Sequence, residues 1–452
     1  MENKVVLFEI KKLFNQYDVR IPLDQPINIF LGENGMGKTT ILNCIYCTLS
    51  GEVEKLYDTI FSEITITLST GEHFTVNHED IQAYRDFMYE SSPYFRRHRF
   101  DLGRFLPDKE IQAMVELYNN NPQDYELRKY YIHISDMLDI PFHIAQQEAR
   151  AFLSRITSQR TTRKGNYNNA KAFNETMQEK INQEILYFPT YRRIEEDINK
   201  LGIDIEKKRN SSKLIKFGMS DVEDNIKELL QKIKTVAING FTKMTGVLLK
   251  QYLDEQISDL NDYIIEENRL RIALSRIGEE IDNNDKERII QLVNSNDIHN
   301  SENKYLLNLI KNLIDSYEKQ MPYDERVKSF VSVCNQYLND KKYDYDESNL
   351  EIGIYKENSK QQIDIQNLSS GEKQIISVFS KLYIEERKDC IILFDEPELS
   401  LSILWQKLFL PDIFKSKKCS TLIAVTHSPF IFDNEFDKYA KDMGSCLSRV
   451  NK

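Results

Sequence analysis

The chain has 452 residues, 60 Lys plus Arg against 71 Asp plus Glu, and a formal net charge of −11. That length allows about three domains of ~150 residues and a full apolar core, so no disulfide or metal staple is needed for size. The acid surplus argues against a sequence-blind nucleic-acid coat, 40% hydrophobic with 29% charged residues excludes disorder, and 15 Gly with 11 Pro is too few for a turn-dense all-β fold.

Val5–Ile10 and Val19–Ile21 read as short strands, and the run Pro26–Leu31 as an apolar strand that ends at Gly32. Ile41, Leu42, Ile45 and Leu49 recur at helical spacing and predict a helix over 37–49. Ile64, Ile66 and Leu68 alternate with polar residues, Thr70-Gly71 supplies a turn, and Phe74 and Val76 continue on the return strand. Residues 79–184 read as a helical insertion, and Ile185–Phe188 as a strand that stops at Pro189. Residues 196–346 read as a helical arm or bundle. Ile226, Leu229, Leu230 and Ile233 repeat at three and four without sustained heptads, so a long coiled coil is not expected. Asn283-Asn284-Asp285 and 294–303 read as loops, and 344–346 as a solvated loop before a strand, although Asp344 and Asp346 could bind a metal. From 347 a β pattern resumes and alternates with helices. The predicted fold class is α/β: a head assembled from both ends of the chain (1–78, 185–195 and 347–452), with helical insertions at 79–184 and 196–346.

Cys44 and Cys47 form a C-x-x-C without the second pair that a zinc ribbon needs. Inside a predicted helix they read as buried packing, with redox or metal chemistry as the alternative. The other four cysteines read as core thiols of a reduced protein. No apolar run reaches the ~18 residues of a membrane span. The opening Met1–Val6 does not resemble a signal peptide, so a cytoplasmic protein is expected.

The chemistry concentrates in four places. Gly32-Glu33-Asn34-Gly35-Met36-Gly37-Lys38-Thr39-Thr40 fits G-x-x-x-x-G-K-[ST] between a strand and a helix. The glycines let backbone N–H groups wrap phosphates, the helix N-terminus adds its positive end, Lys38 reaches the β- and γ-phosphates, and the Thr39 hydroxyl suits Mg²⁺. Ile391–Phe394 is a buried strand with Asp395 and Glu396 at its C-terminal end, where open α/β sheets bind ligands. Asp395 suits the Mg²⁺ shell, and Glu396 can orient or deprotonate an attacking water. Leu368-Ser369-Ser370-Gly371-Glu372 opens an apolar helix, either as a second anion site or simply as an N-capped start. His427 ends the apolar strand Leu422–Val425, placed to meet a γ-phosphate.

In this order the four motifs resemble those of ABC-type ATPases: a Walker A loop, a signature, a Walker B strand and a switch histidine, with Ser400-Leu401 at the D-loop. The resemblance implies two heads sandwiching ATP and Mg²⁺, with Ser369, Ser370, Gly371 and Glu372 completing the partner's site. No glutamine stands clearly at the metal-sensing position. Asp395–Leu401 and Tyr187–Glu195 look like the overcoming-lysogenization-defect group of anti-phage ATPases. In such proteins a Toprim nuclease follows the ATPase, whereas only 25 residues follow His427 (452 − 427). The chain therefore resembles the ATPases of PARIS systems, whose nuclease is separate, and next those of Septu systems, which partner an HNH nuclease. A DNA-clamping repair ATPase is the rival reading.

The resemblance implies an ATPase that forms at least a homodimer and a higher homo-oligomer, controls a Toprim-type nuclease in trans, and senses a phage-encoded trigger. Arg96, Arg97, Arg99 and Arg104 lie among aromatics and are the candidate partner surface; Arg155, Arg160, Arg163 and Lys164 form a second basic group. They could bind nucleic acid or an acidic DNA-mimicking protein, or simply pair with the chain's own surplus acid.

Overall fold

The computed structural model describes residues 4–91, 106–120, 125–138, 142, 145–146, 148–150, 152–153, 165–190, 219–254, 263–278 and 281–450. Both basic groups, Arg96 to Arg104 and Arg155 to Lys164, lie outside these residues, as does Tyr191–Glu195. The chain divides into two compact units. One comprises Met1–Ile215, Lys388–Leu399 and Gln406–Lys452, and the other Lys216–Arg387 and Ser400–Trp405.

The first unit carries two five-stranded sheets. One is antiparallel, with strands β1 (Val5–Leu13), β2 (Tyr17–Pro22), β4 (Glu63–Leu68), β5 (His73–Asn77) and β13 (Leu447–Arg449) in the order β13-β2-β1-β4-β5. The other is parallel, with β3 (Ile27–Leu31), β6 (Glu184–Phe188), β10 (Cys390–Asp395), β11 (Cys419–Thr426) and β12 (Ala440–Asp442) in the order β12-β3-β11-β10-β6. Parallel strands covered on both faces must be apolar throughout. β10 is buried at every position, and β11 from Leu422 to Thr426. Fully buried Leu393 and Ile423 each add about 1.5–3 kcal/mol of burial energy.

The helix Lys38–Leu49 lays Ile41, Leu42, Ile45 and Leu49 into the same core as Phe8, Ile10, Leu393 and Val425. Cys44 and Cys47 are buried there too, and burial raises both thiols, Cys47 to about 12. They stay protonated and pack as small apolar groups. Within 79–184, the helices Asp108–Asn120 and Tyr125–Leu138 share a smaller core of Met114, Leu127, Tyr131 and Ile134.

The second unit is built on a 36-residue helix, Met219–Asp254. Helices Glu267–Ser275, Asn283–Asn294 and Lys304–Glu318 close a core of Leu270, Leu274, Ile290, Ile310, Leu313 and Ile314. The long helix crosses Lys304–Glu318 at Gly240, where a Cβ would stand 1.9 Å from Ser316 Oγ, so the crossing requires glycine. A buried guanidinium fixes the end of helix Glu267–Ser275. Arg276 donates to Asp324 Oδ1 (2.8 Å), Gln320 Oε1 (2.6 Å) and the Glu347 carbonyl (3.1 Å). The unit also holds strands β7 (Lys341–Asp346), β8 (Glu351–Lys356) and β9 (Gln362–Ile363), and the helix Ser370–Phe379.

Two loop expectations are corrected here. Asn283-Asn284-Asp285 is the first turn of a helix, because the Asp282 side chain accepts from Asp285 N at 2.8 Å and caps it. Residues 344–346 belong to β7, paired with β8. Asp346 Oδ1 accepts from Ser348 N (2.9 Å) and Asn349 N (3.1 Å), so this carboxylate holds the β7–β8 turn, and those bonds depress its pKa.

Candidate nucleotide site

Strand register brings the motifs together. β11 lies between β3 and β10, with Thr426 opposite Leu31 and Val425 opposite Asp395. Gly32, Glu396 and His427 therefore leave three adjacent parallel strands at one edge of the sheet. That edge is at the C-terminal ends of the strands, where α/β folds bind ligands.

The loop between β3 and its helix is shaped for an anion. Gly35 and Gly37 have φ of 87° and 79°, left-handed values that other residues adopt only under strain. Gly32 N donates to the Thr426 carbonyl at 3.2 Å, and a Cβ on Gly32 would stand 3.0 Å from Met443 Cβ. Glu33, Asn34 and Gly35 are exposed, and Met36 Sδ accepts from Glu33 N at 3.1 Å. The helix Lys38–Leu49 has neither a side-chain cap nor an acid in its first turn, so its N-terminal N–H groups, at Lys38, Thr39 and Thr40, face the loop.

Lys38 is 5% exposed, and its Nζ donates to the carbonyls of Gly32 (2.7 Å) and Glu33 (3.2 Å). The same ammonium lies 3.1 Å from Glu396 Oε1. Thr39 Oγ1 donates to Asp395 Oδ1 at 3.0 Å. A hydroxyl beside a buried carboxylate is the hard-oxygen pair that suits Mg²⁺ next to a phosphate, so these residues fit that ion.

Glu396 has φ of 52°, a left-handed conformation that costs a non-glycine residue about 1–2 kcal/mol. Its partners hold it there: Glu396 N donates to the Val425 carbonyl at 2.9 Å, Oε1 meets Lys38, and Oε2 meets His427 Nδ1. Burial pushes its carboxyl up, but hydrogen bonds with Glu398, His427 and Lys38 outweigh burial and hold it below the ordinary carboxylate range. Burial pushes Glu398 up as well, and here it prevails: Thr426 opposes it, Glu396 reinforces it, and the carboxyl rises to about 6. The pair therefore divides into an ionised Glu396 and a more readily protonated Glu398. Among the described residues, Glu396, Glu398 and His427 are the group whose ligand atoms lie close enough, within 4.8 Å, to share a metal ion.

Leu368–Glu372 lies in the second unit. Ser369 caps the helix Ser370–Phe379 in a reciprocal box: Glu372 N donates to Ser369 Oγ, while Ser369 N donates to Glu372 Oε2 at 2.9 Å. Lys341 pairs with Glu372 at 2.9 Å. A Cβ on Gly371 would stand 2.3 Å from the Ser400 carbonyl, so the Ser400 backbone lies directly on it. Ser369 and Ser370 remain exposed at the helix start.

The sequence reading passed over two neighbours of this site. Glu398 accepts from Thr426 Oγ1 at 2.7 Å, a contact visible only once β10 and β11 are adjacent. Phe14, on the β1–β2 turn, sets its ring against Gly37: a Cβ there would meet Phe14 Cε2 at 3.0 Å. The available signal was an aromatic in a short turn before an Asn.

The chain belongs to the AAA ATPase domain family, whose model matches residues 12–432. Its head is an α/β P-loop ATPase domain, with the β3 loop, the β10 acids and the β11 histidine on one parallel sheet and with helical insertions. No curated protein matches the chain in sequence. Among solved structures it is similar to an Smc head bound to the C-terminal winged-helix domain of ScpA, with 13% identity over 99% of this chain and 97% of that one, and TM-score 0.34. It is also similar to an Smc head with an extended coiled coil bound to the C-terminal domain of ScpA, from Pyrococcus furiosus, with 14% identity over 99% and 96% and TM-score 0.36. A third is an Smc head with a coiled coil and joint from Pyrococcus yayanosii, with 16% identity over 95% and 93% and TM-score 0.32. Among the described residues no helix is long and apolar enough to cross a membrane.

Proposed function

We propose that the chain hydrolyses ATP to ADP and phosphate at this edge, as the regulatory subunit of an anti-phage complex that controls a separate nuclease. The observation that carries the ATPase step is the convergence of Lys38, Glu396 and His427 from three adjacent strands. The loop from Gly32 to Gly37 and the N–H groups of Lys38, Thr39 and Thr40 wrap the phosphates, and Lys38 meets the β- and γ-oxygens. Thr39 and Asp395 would hold Mg²⁺, which would supply positive charge to offset that of the phosphates. Glu396 takes the proton of the attacking water as its oxygen bonds to the γ-phosphorus and the bond to ADP breaks. His427 donates to the γ-phosphate.

The unit of function is a homodimer at minimum, within a higher homo-oligomer. Ser369, Ser370, Gly371 and Glu372 of one copy complete the site of another. Lys38→Ala and Ser369→Arg each remove one half of that site, so each alone is inactive. Mixed in equal amounts they recover roughly a quarter of wild-type turnover, because half of random dimers are mixed and each has one intact site of two. Ser369→Arg also loses its cap, about 1 kcal/mol, so melting curves accompany the assay. Absence of recovery, or a protein that stays monomeric with ATP by light scattering, counts against shared sites.

The regulatory role rests on the resemblance of Asp395–Leu401 and of Tyr187–Glu195 to the overcoming-lysogenization-defect group of anti-phage ATPases. A Toprim-type nuclease is the partner, and a phage protein, with a DNA mimic as one candidate, is the trigger. Arg96, Arg97, Arg99 and Arg104 are the surface offered to an acidic partner. ATP turnover biases the held and released states of the nuclease, so the two states must differ in nucleotide affinity. The isolated chain, incubated with plasmid, RNA and tRNA in Mg²⁺ or Mn²⁺ with ATP, is expected to cut none of them. Cleavage that survives repurification and vanishes on changing Asp344 or Asp346 would overturn the trans arrangement.

A further inference from the structure

One buried side chain ties the switch turn to the acidic turn without reaching the phosphate loop. Glu398 is 4% exposed. Its Oε1 accepts from Thr426 Oγ1 (2.7 Å), His427 N (2.9 Å) and Ser428 N (3.1 Å). One carboxylate oxygen thus gathers a hydroxyl and two consecutive backbone amides just where β11 ends and ladder partners run out. Ser428 N also reaches Thr426 Oγ1 at 3.0 Å, and Ser428 Oγ donates to Gln406 Oε1 at 2.7 Å, so the turn is held at both ends. Glu398 Oε1 lies 3.1 Å from His427 Nδ1, the ring atom that also meets Glu396. The imidazole is 46% exposed, and on its open side solvent offers it other rotamers.

We propose that Glu398 is a positioning residue that staples the turn 426–428 to the turn 396–399 and so keeps the His427 imidazole on Glu396. The proposal rests on the reading of this edge as the site of ATP hydrolysis. Glu398 acts through His427 and Glu396: the partners of Lys38 are Gly32, Glu33 and Glu396, and that of Thr39 is Asp395. Nucleotide binding and turnover must therefore separate when the staple is cut. The staple also needs an acceptor oxygen at this reach, which glutamine supplies and alanine does not.

The test compares full-length wild type, Glu398→Ala and Glu398→Gln by kcat, KM, ATP affinity and amide hydrogen exchange. Glu398→Ala is expected to lower kcat by about 10–100-fold, the usual cost of a catalytic group displaced by about an ångström, with KM and ATP affinity within about threefold. Glu398→Gln keeps Oε1 and is expected to return kcat to within about fivefold of wild type. The His427 and Ser428 amides exchange slowly in wild type and in Glu398→Gln, and fast in Glu398→Ala. Should Glu398→Ala fail to fold, Thr426→Val removes one of the three donors and is expected to give a smaller loss in kcat with unchanged ATP affinity. Wild-type kcat in Glu398→Ala, equal losses in Ala and Gln, or unchanged amide exchange in Glu398→Ala would overturn the proposal. A wild type that binds ATP but releases no phosphate, while the exchange pattern holds, would instead overturn the ATPase reading and leave the staple standing.

Discussion

Lys38→Ala will lose ATP binding by about 100-fold or more, the largest effect on nucleotide affinity expected from any single substitution at this edge. Nζ is buried and already held by two loop carbonyls and Glu396, so little side-chain freedom is lost when phosphates arrive. Alanine removes a charge-assisted contact that contributes about 1.5–3 kcal/mol. It also leaves Glu396 facing the phosphates without its cation, and like-charge repulsion adds to the loss. Calorimetry with ATP and Mg²⁺ measures it, and circular dichroism checks that the fold survives. Affinity within threefold of wild type would remove Lys38 from the phosphate site.

Glu396→Gln gives the complementary result: ATP is bound and kept. The amide cannot take the proton of the attacking water, and loss of general-base catalysis lowers turnover by about 10²–10⁴-fold. Affinity holds or improves, because Lys38 gives up a carboxylate partner and the neutral side chain no longer repels the γ-phosphate. Nucleotide extracted from the variant after incubation with ATP is expected to be ATP, and from wild type ADP. ADP in both would assign the base elsewhere.

What the sequence revealed follows the range of each interaction. The loop 32–40 was legible because its glycines, lysine and threonine fall within nine consecutive residues. The buried strands Ile27–Leu31, Cys390–Asp395 and Cys419–Thr426 were legible because a doubly covered parallel strand is apolar at every position. Their order was not, and order is what sets His427 beside Glu396. Glu398 shows the same limit. Beside Glu396 it reads as one more acid, and only the pairing of β10 with β11 gives it three donors from 28 to 30 residues away. The Asn-rich misreading at 283–285 has a local cause: Asn and Asp favour turns and helix starts alike, and the capping by Asp282 decides for the helix. The double role of Leu368–Glu372 was also open in the sequence. The capping box and the Gly371–Ser400 approach account for Ser369, Gly371 and Glu372 within their own unit, and leave Ser369 and Ser370 exposed.

Phosphate release, measured side by side for wild type and Glu396→Gln with saturating ATP and Mg²⁺, tests the central claim most directly. The account predicts steady release by wild type and about 10²-fold or slower release by the variant at equal nucleotide occupancy. Equal rates would contradict it.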